Sequence, residues 1–168
     1  MKPRVAILMG SDSDLDVMQE ALEALKEFGI PAEIHALSAH RTPHDVAQFA
    51  TNAESAGIEV MICGAGGAAH LAGVVAAHTT LPVIGVPISA TSLGGFDALL
   101  STVQMPPGIP VATVAVGKFG ARNAGILAVQ IMARGDISLR SKLTQFKKDL
   151  AEKVREKDRK LQERLAQK

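Results

Sequence analysis

The chain has 168 residues with 18 Lys/Arg against 17 Asp/Glu, a formal net charge of +1, and is long enough for one ordinary domain with a real core. That balance excludes an overall electrostatic pull toward nucleic acid or a membrane surface, and the single cysteine, Cys63, excludes an internal disulfide and suits a reducing cytoplasm. The charges are nonetheless divided, with 7 Lys/Arg against 12 Asp/Glu in residues 1–136 and 11 against 5 in residues 137–168.

The start "MKPRVAILMGSDSD" carries an apolar run too short for a signal peptide, so a cytoplasmic location is expected. "RVAILMG" (4–10) reads as a strand ended by glycine. Residues 13–29 place Leu15, Met18, Leu22, Leu25 and Phe28 at helical spacing, with Ser13 and Asp16 as a capping box and Gly29 as the stop. "AEIHALS" (32–38) alternates like a strand, and 43–57 reads as a helix opened by Pro43 and closed by Gly57. Strands are expected at 59–67, 82–88 and 110–117, and helices at 68–80, 96–105 and 121–134. From Val60 to Phe96 there is no Asp, Glu, Lys or Arg. A spanning helix needs about 20 continuous apolar residues; here Gly64, Gly66, Gly67, His70, His78, Pro82 and Pro87 break the run. Burial in an oligomer is the better account. Residues 137–168 place Leu139, Leu143, Phe146, Leu150, Val154, Leu161 and Leu165 as a stripe on an otherwise charged helix, which packs one face on a neighbour.

Strands alternating with helices imply βαβ units and a parallel sheet covered on both faces. The expected architecture is a flavodoxin-like three-layer α/β sandwich over residues 1–136, with a C-terminal helical tail over 137–168 that packs on neighbouring subunits. Ligands of such sheets bind at the carboxyl ends of strands. "GSDSD", "SAHRTP", "GAGGAAH" and "SATSLGG" all fall at that edge.

Those loops hold the candidate chemistry. Ser11 and Ser13, after Gly10 at a helix N-terminus, offer donors to an anion; plain capping by Ser13 is the alternative. Asp12 and Asp14 would repel a phosphate, so one of them must face something else, such as ribose hydroxyls. Arg41 suits two-point capture of a phosphate, and the imidazole of His40 can move protons. His40 and His44 lack the companions of a metal site, and no metal is expected. "GAGGAAHLAG" is not a dinucleotide fingerprint, because it follows the third strand and no acidic residue follows at about 20 positions. His70 lies just inside the next helix, where a structural histidine is the plain alternative. From these residues alone a non-catalytic nucleotide sensor or a response-regulator-like module also stands, although the latter wants an aspartate where "ICGAGG" ends strand three.

Taken together, "MGSDSDL", "SAHRTP", "GAGGAAHLAGVVAAHTTLPVIGVP" and "VQMPPGIPVATVAVG" resemble the catalytic-subunit family of phosphoribosylaminoimidazole carboxylase, and its bacterial mutase branch more closely. The resemblance runs from about residue 4 to 134. It implies an isomerase of purine synthesis that moves the carboxylate of N5-carboxyaminoimidazole ribonucleotide to ring C4. It implies no cofactor, a small-molecule ribonucleotide as partner, and a homo-octamer. His40 is then the general acid/base and His70 its catalytic companion. Ser11, Asp14 and Arg41 contact the nucleotide, Ser13 and Ser38 join the phosphate site, and Asp14 faces the ribose. Gly66 and Gly67, with Ala68 and Ala69, leave room for trapped CO2. The direct-carboxylase branch typically carries lysine in place of Arg41 and lacks the histidine at 70, so the mutase branch is favoured. Arg122 stands where the family pattern leads one to expect a small residue.

Overall fold

The computed structural model describes residues 2–166; the outer ends of the two expected domains, Met1 and residues 167–168, lie outside the described residues. Five strands, β1 (Val5–Met9), β2 (Ala32–Ala36), β3 (Val60–Gly66), β4 (Val83–Ile88) and β5 (Ala112–Thr113), form one parallel sheet in the order β2-β1-β3-β4-β5. Six helices accompany them: α1 (Leu15–Glu27), α2 (Pro43–Ala56), α3 (Leu71–His78), α4 (Phe96–Val103), α5 (Lys118–Met132) and α6 (Ile137–Ala166). The order matches the flavodoxin-like expectation. It places the reversal of strand order between β1 and β3, where a crevice opens.

Successive strand residues face opposite sides, and β1 is buried on both. Ala6 and Leu8 join Met61 and Cys63 of β3 against Val46 and Ala50 of α2 and Leu71, Ala72 and Val75 of α3. On the other face α1 packs along α5. The approach is close: a Cβ on Gly125 would stand 2.7 Å from the Ala21 carbonyl oxygen and 2.8 Å from the Ala24 Cβ. The other two inner strands are buried as well, β3 over Val60–Gly64 and β4 throughout. Much of the uncharged 60–96 stretch is thereby explained within the chain. No helix among the described residues is long and apolar enough to cross a membrane.

Several local readings are corrected. The expected fifth strand over 110–117 shrinks to two residues, Ala112 and Thr113. It is an edge strand entered from Pro110, which has no N–H to donate. Helix α1 starts at Leu15, because a 3-10 turn over Asp12–Asp14 precedes it. Ser11 caps that turn by accepting from the Ser13 amide, so the Ser13–Asp16 capping box does not form. Leu15, counted on the apolar face, is 45% exposed. Helix α3 begins at Leu71 with His70 as its N-cap, so His70 stands just outside the helix. By contrast α2 starts at Pro43 and ends at Gly57, whose φ of 100° glycine tolerates.

The chain divides into two compact units, Met1–Met132 and Ala133–Lys168. In the second, Asp136 Oδ1 accepts from the Leu139 amide and so caps α6, while Glu156–Lys160 and Glu152–Arg159 pairs run along its surface.

Candidate active site

The loops after β1 to β4 converge at the carboxyl edge of the sheet around a pocket of about 370 Å³. Eight expected residues line it: Ser11, Ser13, Asp14, Ser38, His40, Arg41, Gly66 and His70. Gly67 lies beside it without lining it, and Ala69 is only 2% exposed and belongs to the core.

In the first loop the Ser11 hydroxyl is the hub. It accepts from the Ser13 amide (3.3 Å) and the Ser13 hydroxyl (2.9 Å), and it donates to Asp12 Oδ1 (3.2 Å). The Asp14 amide donates to the Ser11 carbonyl. Two amides of this turn and the hydroxyl protons of Ser11 and Ser13 are therefore engaged within the loop itself. Asp14 is 8% exposed. Burial pushes its carboxyl above the ordinary value, against the downward pull of the Ser11 backbone N–H and the Arg41 guanidinium, while Asp12 adds to the rise.

The second loop is tied by Thr42, whose hydroxyl accepts from the Ser38 amide at 3.0 Å. The Ser38 hydroxyl accepts from both the amide (3.2 Å) and Nε (3.3 Å) of Arg41. Nη2 of Arg41 donates to the Gly10 carbonyl at 2.8 Å, joining the first two loops. The guanidinium is thus fixed at two points, with its other donors spare.

His40 Nε2 lies 2.8 Å from His70 Nδ1, with ring centroids 4.9 Å apart and planes at 89°. One nitrogen must donate and the other accept, so the tautomer of each ring sets that of the other. Ala65, Gly66, Ala68, Leu71 and Ala90 supply the apolar part of the pocket's lining. The space beside Gly66 is already filled, since a Cβ there would stand 2.4 Å from that of Ala90. Gly66 is a close-packing glycine, and the room in the pocket lies elsewhere. Sequence reasoning missed Ala39, Ala65, Leu71 and Ala90 as lining residues; apolar side chains carry no chemical signal. Among the described residues no group of three or more His, Cys, Asp or Glu is placed to hold a metal ion. Cys63 is buried in β3, where loss of solvation raises its thiol pKa and keeps it inert.

Comparison with known proteins settles the family. The model of the AIR carboxylase family matches residues 4–153. The chain belongs to the AIR carboxylase family. Within this family it is 56% identical over 161 residues to the N5-carboxyaminoimidazole ribonucleotide mutase of Mycobacterium leprae, covering 96% of this chain and 93% of that one. It is 55% identical over 162 residues to the protein of the same name from Pyrococcus horikoshii, covering 96% and 90%. The crystal structure of Treponema denticola PurE superposes with a TM-score of 0.86 at 32% identity, covering 95% of this chain and 98% of that one. The AIR carboxylase fold therefore spans the pocket and all four loops. Arg122, the departure noted in the sequence, is taken up on the surface by Glu27 of α1, at 2.8 and 2.9 Å to its two carboxylate oxygens.

Proposed function

We propose that this chain is an isomerase that converts N5-carboxyaminoimidazole ribonucleotide to 4-carboxy-5-aminoimidazole ribonucleotide. The observation that carries the reading is the His40–His70 pair, 2.8 Å apart in one pocket with Arg41, Ser11, Ser13 and Asp14. The mutase names of relatives at 56% and 55% identity support it.

Arg41 and the hydroxyls of Ser11, Ser13 and Ser38 hold the phosphate, and Asp14 accepts from the ribose hydroxyls. Protonated His40 gives its proton to N5 of the carbamate; the N5–C bond breaks and its electron pair stays on nitrogen, releasing CO2. The electron-rich C4 then attacks CO2, forming the C–C bond. Neutral His40 removes the proton from C4, which restores the aromatic ring and regenerates the imidazolium. His70 fixes the His40 ring through their shared hydrogen bond. No net proton or electron is consumed, so one histidine serves both steps.

The working form is a homo-oligomer, an octamer by family resemblance, in the cytoplasm. Leu93, Phe96, Leu100 and Val103, 64%, 63%, 41% and 47% exposed, follow one another at intervals of three and four residues around α4. That is an apolar stripe a neighbouring subunit would cover. Helix α6 carries a stripe of its own for the same purpose. Incubation of the purified protein with N5-carboxyaminoimidazole ribonucleotide, followed by carbon NMR of the ring carboxylate, tests the reading. Appearance of the C4 carboxylate at a rate proportional to enzyme supports it, and absence of product refutes it.

A further inference from the structure

Between Glu59 and Lys118 the sequence has one charged side chain, Asp97. It stands in the first turn of α4, where the helix N-terminus favours a carboxylate. Its Oδ2 accepts a 2.7 Å hydrogen bond from the hydroxyl of Thr91, six residues earlier, and that bond holds the carboxyl below its usual range. The same hydroxyl accepts from the Leu93 amide at 3.1 Å, and the Thr91 carbonyl accepts from the Gly94 amide at 3.3 Å. Thr91 is therefore the knot of the loop after β4.

The inner edge of that loop touches the candidate site. Ala90 lines the pocket together with Gly66 and His70. The Ala90 methyl fills the space that a Gly66 side chain would occupy, at 2.4 Å from its Cβ position. A Cβ on Gly67 would meet the Thr91 methyl at 3.6 Å. Thr91 thus stands next to Gly67 of the third loop, with its hydroxyl bonded to Asp97.

We infer that Asp97, acting through Thr91, is a positioning residue for carboxylate transfer: the pair seats the loop after β4 on Gly66 and Gly67, walling the pocket beside His40 and His70 while CO2 is free. The inference rests on the mutase reading above. Free CO2 has no net charge for the protein to grip, so confinement keeps it near C4. The ribonucleotide is held from the opposite side by Ser11, Asp14 and Arg41. Loosening the wall should therefore lower kcat and leak CO2 while leaving KM nearly unchanged.

The test compares native enzyme with Thr91→Val, Asp97→Ala and Thr91→Ser, each with unlabelled N5-carboxyaminoimidazole ribonucleotide in 13C-bicarbonate. Thr91→Val keeps the bulk and removes both hydroxyl contacts; Thr91→Ser keeps the hydroxyl and removes the methyl. Thr91→Val and Asp97→Ala should lower kcat about tenfold to a hundredfold, the scale of a displacement of about 1 Å at a reacting centre. Both should raise the label in the product well above native, and Thr91→Ser should restore most of kcat and label exclusion. If Asp97→Ala does not fold, the contrast between Thr91→Val and Thr91→Ser decides. Native kcat and native label in folded Thr91→Val overturn the inference and leave the mutase reading standing, even if the melting temperature falls. Native enzyme that forms no product overturns the mutase reading, and this inference with it.

Discussion

Truncation of Arg41 to alanine should weaken binding of the ribonucleotide by about 1.5–3 kcal/mol, the worth of a hydrogen bond to a charged group. Two of the five guanidinium N–H groups are committed, Nη2 to the Gly10 carbonyl at 2.8 Å and Nε to the Ser38 hydroxyl at 3.3 Å. In the proposed reading the remaining donors meet the phosphate. Arg41 is exposed at the pocket rim, so the Gly10 carbonyl can take water when the side chain is cut, and loss of the ligand contact dominates. At 1.4 kcal/mol per factor of ten, the expected rise in Kd is about tenfold to 150-fold. Arg41→Lys restores the charge but lacks a planar fork to hold Gly10, Ser38 and the phosphate together, and should recover about half of the lost free energy. Titration calorimetry with the product ribonucleotide at fixed ionic strength measures this directly. Affinity unchanged to within about twofold in Arg41→Ala would remove the phosphate role and leave Arg41 as a loop tie.

Replacing His40 by alanine should leave the fold and assembly intact by circular dichroism and sedimentation, while turnover falls about 10²–10⁴-fold; near-native turnover would exclude His40 as the proton carrier. Asp14 has a folded-state pKa raised by burial, so the folded state holds its proton more tightly than the unfolded chain. Native stability should therefore fall, relative to Asp14→Asn, as pH rises from the ordinary carboxylate value through the raised one; melting temperatures of the two proteins that stay parallel across that window would contradict this. The protein should sediment as a stable oligomer, and deletion of residues 150–168 should weaken assembly more than turnover per intact site. A monomeric species of 17.6 kDa at micromolar concentration would contradict that expectation.

Where local chemistry dictates local structure, the sequence was legible. Pro43 and Gly57 bound α2 because one has no N–H to spare at a first turn and the other tolerates a φ of 100°. The alternation of strands and helices implies the parallel sheet, and the rule that ligands sit at strand ends places four loops together. Competition between neighbours was not legible. Ser11 and Ser13 are both good caps, and only the 3-10 turn decides that Ser11 accepts. The contact between His40 and His70 spans thirty positions and follows from the pairing of β2 and β3 on either side of β1 and from two loop conformations, which no local pattern encodes. Ala90 and the filled space beside Gly66 were invisible for a different reason: close packing of small side chains leaves no signature in residue type.

In a mutase the carboxylate that leaves N5 is the same one that arrives at C4. The direct measurement gives native enzyme unlabelled N5-carboxyaminoimidazole ribonucleotide in 14C-bicarbonate and isolates the product at early times. In parallel it gives aminoimidazole ribonucleotide with the same bicarbonate. A mutase that keeps CO2 in its pocket yields product with little label in the first reaction and slow turnover in the second. Rapid, full labelling in the first reaction, with aminoimidazole ribonucleotide the better substrate in the second, would contradict the account and make the chain a direct carboxylase.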